Sequence, residues 1–143
     1  GQYNILTLVL QDIVQYSAEV TKNYEQTTPS EVVKQIGKRL KFLDFVMRNS
    51  ALSLSTSHVD ALWNSLIASS RSQEQVDLSF AWFQHWCGYT EIFQNVLETT
   101  SYFLLEKLCK LPQELMLESS FSCLEFYFSF VNCSNNKLYR SET

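Results

Sequence analysis

Residues 27–47, "TTPSEVVKQIGKRLKFLDFVM", carry the strongest local signal in the chain. Thr28 stands where an N-cap belongs, Pro29 suits the first helical position, and Glu31 follows three residues after the cap. This spacing lets the threonine hydroxyl accept from the third amide while a carboxylate reaches back to the cap's own amide. The capped segment predicts a helix over 29–48. Within it Val33, Ile36, Leu40, Leu43 and Met47 step by three and four, one apolar stripe at helical period. Phe42 and Phe45 lie off that stripe. The helix therefore touches apolar surface on more than one side, as an inner helix of a layered α-helical array does.

The same pattern recurs on both sides. Residues 4–24 carry Ile5, Leu8, Val9, Ile13, Tyr16 and Val20, with Asp12 as a polar interruption. Ser72 followed by Gln75 forms a second capping box, opening a helix to about Cys87 with Val76, Phe80, Phe83 and Cys87 inward and Gly88 as its C-terminal stop. Thr90 caps a helix to about Lys110, with Lys107 and Lys110 in the last turn and Pro112 beyond. Ser119 or Ser120 opens a final aromatic helix through Phe121, Leu124, Phe128 and Val131. Residues 132–143 read as a polar loop or frayed tail. With only three glycines and two prolines in 143 residues, long helices fit and a turn-rich β fold does not. The fold class is all-α, an irregular armadillo/HEAT-like α-solenoid fragment of about six helices, organised as one helical domain over residues 1–143. The chain opens at Gly1, not at a methionine, and a segment of a much larger polypeptide is expected.

"SLSTSHVDALWNSL", residues 53–66, contains the residue types of an acyl-transfer triad. A triad is defined by geometry, and His58 and Asp60, two apart on a helix, point to roughly opposite sides. The stretch reads instead as a helix start, with Ser57 as cap, Asp60 at the third position, and Val59, Leu62 and Leu66 inward beside Trp63. Trp82, His85, Trp86 and Cys87 form the densest cluster of versatile side chains. The indole pair can line a peptide groove or fill an ordinary core. His85 and Cys87 diverge on a helix, which disfavours a Cys–His nucleophile.

The cysteines at 87, 109, 123 and 133 include no CxxC pair and are joined by only two histidines, so no metal site is expected. No phosphate loop or zinc-protease motif is present, and no cofactor or small-molecule substrate is expected. A net charge of -4 gives no general reason for nucleic acid, and no apolar run approaches the length of a membrane span. Asn132-Cys133-Ser134 fits the N-glycosylation pattern, yet nothing else suggests secretion; a cytoplasmic or nuclear compartment is the simplest expectation. The candidate partner-binding surface is basic. Lys34, Lys38, Lys41 and Arg48 lie on one side of the second helix, with Phe45 among them as an apolar anchor. The alternative is a merely solvated face, or one that contacts an acidic neighbouring repeat, with Phe45 packed on that repeat.

From about residue 34 to 138, "KRLKFLDFVM", "SLSTSHVDALWNSLI", "FAWF", "FLLEKLCKLPQELM" and "FSCLEFYFSFVN" follow in an order and spacing that resembles the giant fat-facets-type ubiquitin carboxyl-terminal hydrolases. The resemblance implies an armadillo-like array within the long non-catalytic region preceding a papain-like protease domain. It also implies a parent that removes ubiquitin from substrate proteins with a cysteine nucleophile. The cysteine contexts here, "HWCGY", "KLCKL", "FSCLE" and "VNCSN", lack the family's catalytic box, and no histidine box follows. No catalytic residue is carried over. The implied role is a non-catalytic scaffold contacting protein partners and adjacent repeats of its parent. A self-contained helical adaptor, binding a peptide or helix through the aromatic groove, is the alternative; a small helical enzyme lacks any acid–base constellation.

Overall fold

The computed structural model describes residues 5–50, 54–70 and 72–87, together with positions 103, 106, 107 and 110. In order, these form α1 (Ile5–Lys22), a 3-10 turn (Tyr24–Gln26), α2 (Pro29–Ser50), α3 (Thr56–Trp63), a π-helical segment (Asn64–Ala68) and α4 (Gln73–Cys87). No strand occurs among the described residues. The chain divides into two units, Gly1–Ser79 and Phe80–Thr143, and α4 runs across the division.

In the first unit α1 packs most extensively on α2 and also touches α3 and the π-helical segment. The connection between α1 and α2 is short enough to make them a helical hairpin. It is fixed at both ends: the Asn23 amide donates to the Glu19 carbonyl at 2.9 Å, and the Gln26 amide to Asn23 at 3.0 Å. Thr28 then caps α2, its Oγ1 accepting from the Glu31 amide at 3.2 Å. Only this half of the expected box forms. The Glu31 carboxylate accepts from Gln35 Nε2 at 2.9 Å, a one-turn pair along the helix surface.

The buried face of α2 comprises Val32, Ile36, Leu40, Leu43, Val46 and Met47. Val32 occupies the core position expected of Val33, which is half-buried. On α1 the correction is larger. Leu6, Val9, Leu10 and Ile13 are buried, whereas Ile5 and Leu8 are 47% and 49% exposed. Each fully buried aliphatic side chain contributes about 1.5–3 kcal/mol over leaving it in water. The α1–α2 seam is trimmed by a surface cluster. Arg39 Nε meets Asp12 Oδ2 at 3.0 Å, and the Arg39 guanidinium lies 4.1 Å from the centre of the Tyr16 ring.

Gly37 sits in the middle of α2, where a Cβ would meet Leu78 Cδ2 at an ordinary 3.7 Å. Space is therefore available, and glycine's backbone entropy is the term that remains. Gly37→Ala is expected to stabilise the chain by about 0.5–1 kcal/mol. A lower urea midpoint for the variant would show that α2 and α4 approach more closely than this.

In the second unit Phe80, Trp82, Phe83 and Trp86 of α4 are buried, and Trp82 meets Phe83 edge-on with ring centres 5.6 Å apart. Phe103, Glu106 and Lys107 are helical and Lys110 lies in a turn, its amide reaching the Glu106 and Lys107 carbonyls at 3.2 Å. The Gly88 stop, the remainder of the helix expected over 90–110, the aromatic helix from 119, the glycosylation pattern and the tail from 132 lie outside the described residues.

Candidate functional site

The Ser–His–Asp stretch is a helix start, two residues away from the expected one. Ser55, not Ser57, is the N-cap of α3. Its Oγ accepts from the His58 amide at 3.3 Å, and its own amide donates to His58 Nδ1 at 3.1 Å. His58 thus stands at the third helical position and does what glutamate or glutamine does in the usual capping box. Ser57 Oγ lies 3.0 Å from Ser55 Oγ. A signal for the correct register was present. Capping at Ser55 places Leu54 and Val59, both fully buried, at the two positions of a hydrophobic staple, whereas capping at Ser57 would place Thr56 and Ala61 there.

The arrangement removes His58 from general-base chemistry, because its Nδ1 lone pair is already engaged by a backbone amide. Burial holds the His58 pKa below its ordinary value. A histidine depressed in the folded state binds fewer protons there than in the unfolded chain. Stability is thus full above the unfolded value, about 6.5, and falls as pH drops toward the depressed folded value. Unfolding midpoints should therefore begin to decline as pH falls below about 6.5. His58→Gln, which keeps an acceptor without a proton to gain, should flatten that part of the profile. Ser55→Ala should cost about 1 kcal/mol at neutral pH, and Ser57→Ala less.

A cleft of about 330 Å³ opens beside the α1–α2 turn, among Val20, Tyr24, Pro29, Val32, Ser72 and Gln75. Several of its hydroxyls, those of Ser17, Thr21, Ser69 and Ser72, are bonded to the backbone. Ser17 Oγ donates to the Ser65 carbonyl at 2.8 Å, Thr21 Oγ1 to the Ser17 carbonyl at 2.9 Å, and Ser72 Oγ accepts from the Gln75 amide at 3.2 Å. Apart from the Tyr24 phenol, the cleft wall carries no titratable side chain.

The indole pair does not form an open groove: Trp82 and Trp86 are only 8% and 3% exposed, while His85 is exposed. Among the described residues no cluster of three or more His, Cys, Asp or Glu is placed to hold a metal ion. No helix there is long and apolar enough to cross a membrane.

The basic ridge remains. Lys34, Lys38, Lys41, Phe45 and Arg48 lie along the outer side of α2, with Lys41, Phe45 and Arg48 among its exposed positions. At about 100° per residue the five fall within an arc of about 80°, centred opposite the buried face of α2. Arg48 Nε pairs with Asp44 at 3.2 Å. Lys34, Lys38 and Lys41 have no ion pair among the described residues. Phe45, 59% exposed, stacks on Phe42 with ring centres 6.4 Å apart. Sequence spacing placed these five together, and the structure adds Phe42 and the exposed α1 residues Ile5 and Leu8 beside them.

Amphipathic helices joined by short turns, with their inner faces given over to packing, define an α-helical repeat protein of the solenoid class. Residues 1–132 match the UBP24/USP9X/USP9Y ARM repeat, and the chain belongs to that family. The matched region is the ARM repeat, not a catalytic domain. Over 145 residues the chain is 23% identical to ubiquitin carboxyl-terminal hydrolase 9Y of Mus musculus, an alignment covering 94% of this chain and 6% of that protein. It is 22% identical over 149 residues to the probable ubiquitin carboxyl-terminal hydrolase FAF of Drosophila melanogaster, covering 96% of this chain and 5% of the relative. Ubiquitin carboxyl-terminal hydrolase 9X of Mus musculus is 22% identical over 145 residues, with 94% and 6% covered. The chain thus spans about one-twentieth of the length of these relatives. No solved structure matches it at comparable significance.

Proposed function

We propose that the chain serves as a non-catalytic scaffold segment of a large deubiquitinating cysteine protease, stacking with neighbouring repeats and presenting the ridge of α2 to protein partners. The observation that carries this reading is the ARM-repeat match over residues 1–132, shared with relatives named as ubiquitin hydrolases. The geometry supports it. His58 is bound up in a helix cap, the Ser17, Thr21 and Ser72 hydroxyls of the cleft are tied to backbone groups, and among the described residues the exposed lysines of α2 lie along one ridge beside Phe45. Helical repeats generally act through extended surfaces built by stacking, which supports a role in positioning and contact.

The parent would remove ubiquitin from substrate proteins in the cytoplasm or nucleus, its nucleophile lying in another part of the polypeptide. Two experiments test this. The complete open reading frame should carry a protease cysteine box and histidine box; their absence would sink the parent assignment. The 143-residue chain alone should give no turnover of a fluorogenic ubiquitin substrate. Turnover lost on a single Cys→Ala change within it would show that the segment is itself an enzyme.

A further inference from the structure

Beside the lysine ridge, a groove of about 350 Å³ runs between α1 and α2 among Ile5, Leu8, Asp12, Lys38, Arg39 and Phe42. Its walls are unusually apolar for solvent-facing positions. Ile5, Leu8 and Phe42 are 47%, 49% and 51% exposed, and Phe45 continues the strip by stacking on Phe42. Such contiguous exposed apolar surface with a polar rim marks an interaction site. The rim is net positive, with Asp12 the carboxylate lining it against Lys38 and Arg39. The charge of Arg39 is answered by Asp12, and the ring of Tyr16 lies beneath it. Lys34, Lys38 and Lys41 are not answered by any carboxylate among the described residues.

We propose that this groove docks an acidic amphipathic helix contributed by a partner polypeptide. The proposal rests on the scaffold reading and names the chemistry of what the scaffold holds. Charge selects the occupant: uncompensated ammonium groups beside an apolar strip favour glutamates or aspartates flanking an apolar seam. Shape selects a helix. Ile5 and Leu8 on one wall are spaced i, i+3, Phe42 lines the other with Phe45 stacked on it at the same spacing, and two such ridges accept the i, i+3/i+4 ridge of a third helix. A basic helix would meet the lysines with like charge, and a nucleic acid would need a wider cationic field than three lysines supply.

The probe is a synthetic helix of about 18 residues with leucines at i, i+3/i+4 and i+7 and glutamates flanking them, and a twin with lysines for the glutamates. Binding to the 143-residue chain is read by fluorescence anisotropy at low and moderate salt. The acidic helix should bind and weaken with salt, and the lysine twin should bind at least about tenfold more weakly. The Lys34→Glu, Lys38→Glu, Lys41→Glu variant should invert that preference, which mere loss of folding cannot do. Leu8→Ser and Phe45→Ser, both at exposed positions, should weaken the acidic helix by about tenfold or more without lowering the melting temperature. Equal binding of the two peptides, no binding of the acidic one, or indifference to charge reversal would overturn the proposal. A neighbouring repeat of the parent is the rival occupant. Phe45→Cys in the complete parent polypeptide should react readily with a maleimide, as read by mass spectrometry of that position, and be protected by the acidic helix. A thiol at that position already shielded without peptide would assign the groove to the rival. The reading-frame and ubiquitin-turnover tests do not depend on this surface, so the scaffold reading and the docking proposal can fail separately.

Discussion

Leu43→Ala is expected to destabilise the chain by about 3 kcal/mol, whereas Phe45→Ala, two positions on in the same helix, should shift stability by no more than about 0.5 kcal/mol. Leu43 is fully buried on the inner face of α2, and Phe45 is 59% exposed on the outer one. Truncating Leu43 removes transfer free energy and leaves a cavity that a helix held by neighbours on either side closes only in part. A loss of that size is a large fraction of the roughly 5–15 kcal/mol that holds an ordinary domain together. Truncating Phe45 exposes the edge of Phe42 and little else. Urea denaturation of both variants, with unchanged slope, reads the difference directly. The adjacent pair Val32 and Val33 provides a finer check on the rotation of α2. Val32 is 8% exposed and Val33 is half-buried, so Val32→Ala should cost more than Val33→Ala. The reverse order, or an equal cost at Leu43 and Phe45, would mean that α2 is turned about its axis relative to this structure.

α2 was legible from its sequence because two independent signals agree. Thr28 and Pro29 fix the start, and the three-four apolar spacing fixes the face to within one residue. α1 offered no such agreement. Apolar residues at 5, 6, 8, 9 and 10 fit two overlapping stripes, one through Ile5 and Leu8 and one through Leu6 and Leu10. Local pattern cannot choose between them, because a repeat helix carries apolar surface on more than one side. Packing on α2, α3 and the π-helical segment selects Leu6, Val9, Leu10 and Ile13. The capping register of α3 was missed for a different reason. Ser55 and Ser57 both begin plausible boxes, and an acidic residue at 60 is a more familiar partner than a histidine at 58. Of the candidate surface, the angular grouping of Lys34, Lys38, Lys41, Phe45 and Arg48 followed from helical spacing alone. The groove beside it did not, since it required knowing which face of α1 is turned outward.

The π-helical segment Asn64–Ala68 was not legible at all, and it supports the second large effect. Gln75→Ala should destabilise the chain by about 2–3 kcal/mol, more than a surface glutamine ever does. In the widened turn the Ser69 amide bonds to the Asn64 carbonyl at 3.1 Å, five residues back, and carbonyls that a regular helix would engage are left to other partners. Those partners come from distant parts of the chain. Ser17 Oγ of α1 donates to the Ser65 carbonyl at 2.8 Å, and Gln75 Nε2 of α4 donates to the Leu66 carbonyl at 3.0 Å. Gln75 is only 6% exposed, so alanine would strand the Leu66 oxygen away from water and open a void as well. Gln75→Glu separates the two contributions. It preserves the volume but, when ionised, has no proton to donate and places a charge against a carbonyl, so at neutral pH it should destabilise at least as much as alanine. At low pH the protonated acid can donate to Leu66, and much of the stability lost in the Gln75→Glu variant should return. The experiment compares Gln75→Glu with the parent sequence at each pH, which cancels the contribution of His58. An unchanged gap between them across the range, or a cost below about 0.5 kcal/mol for Gln75→Ala, would show that the π turn does not depend on this bond.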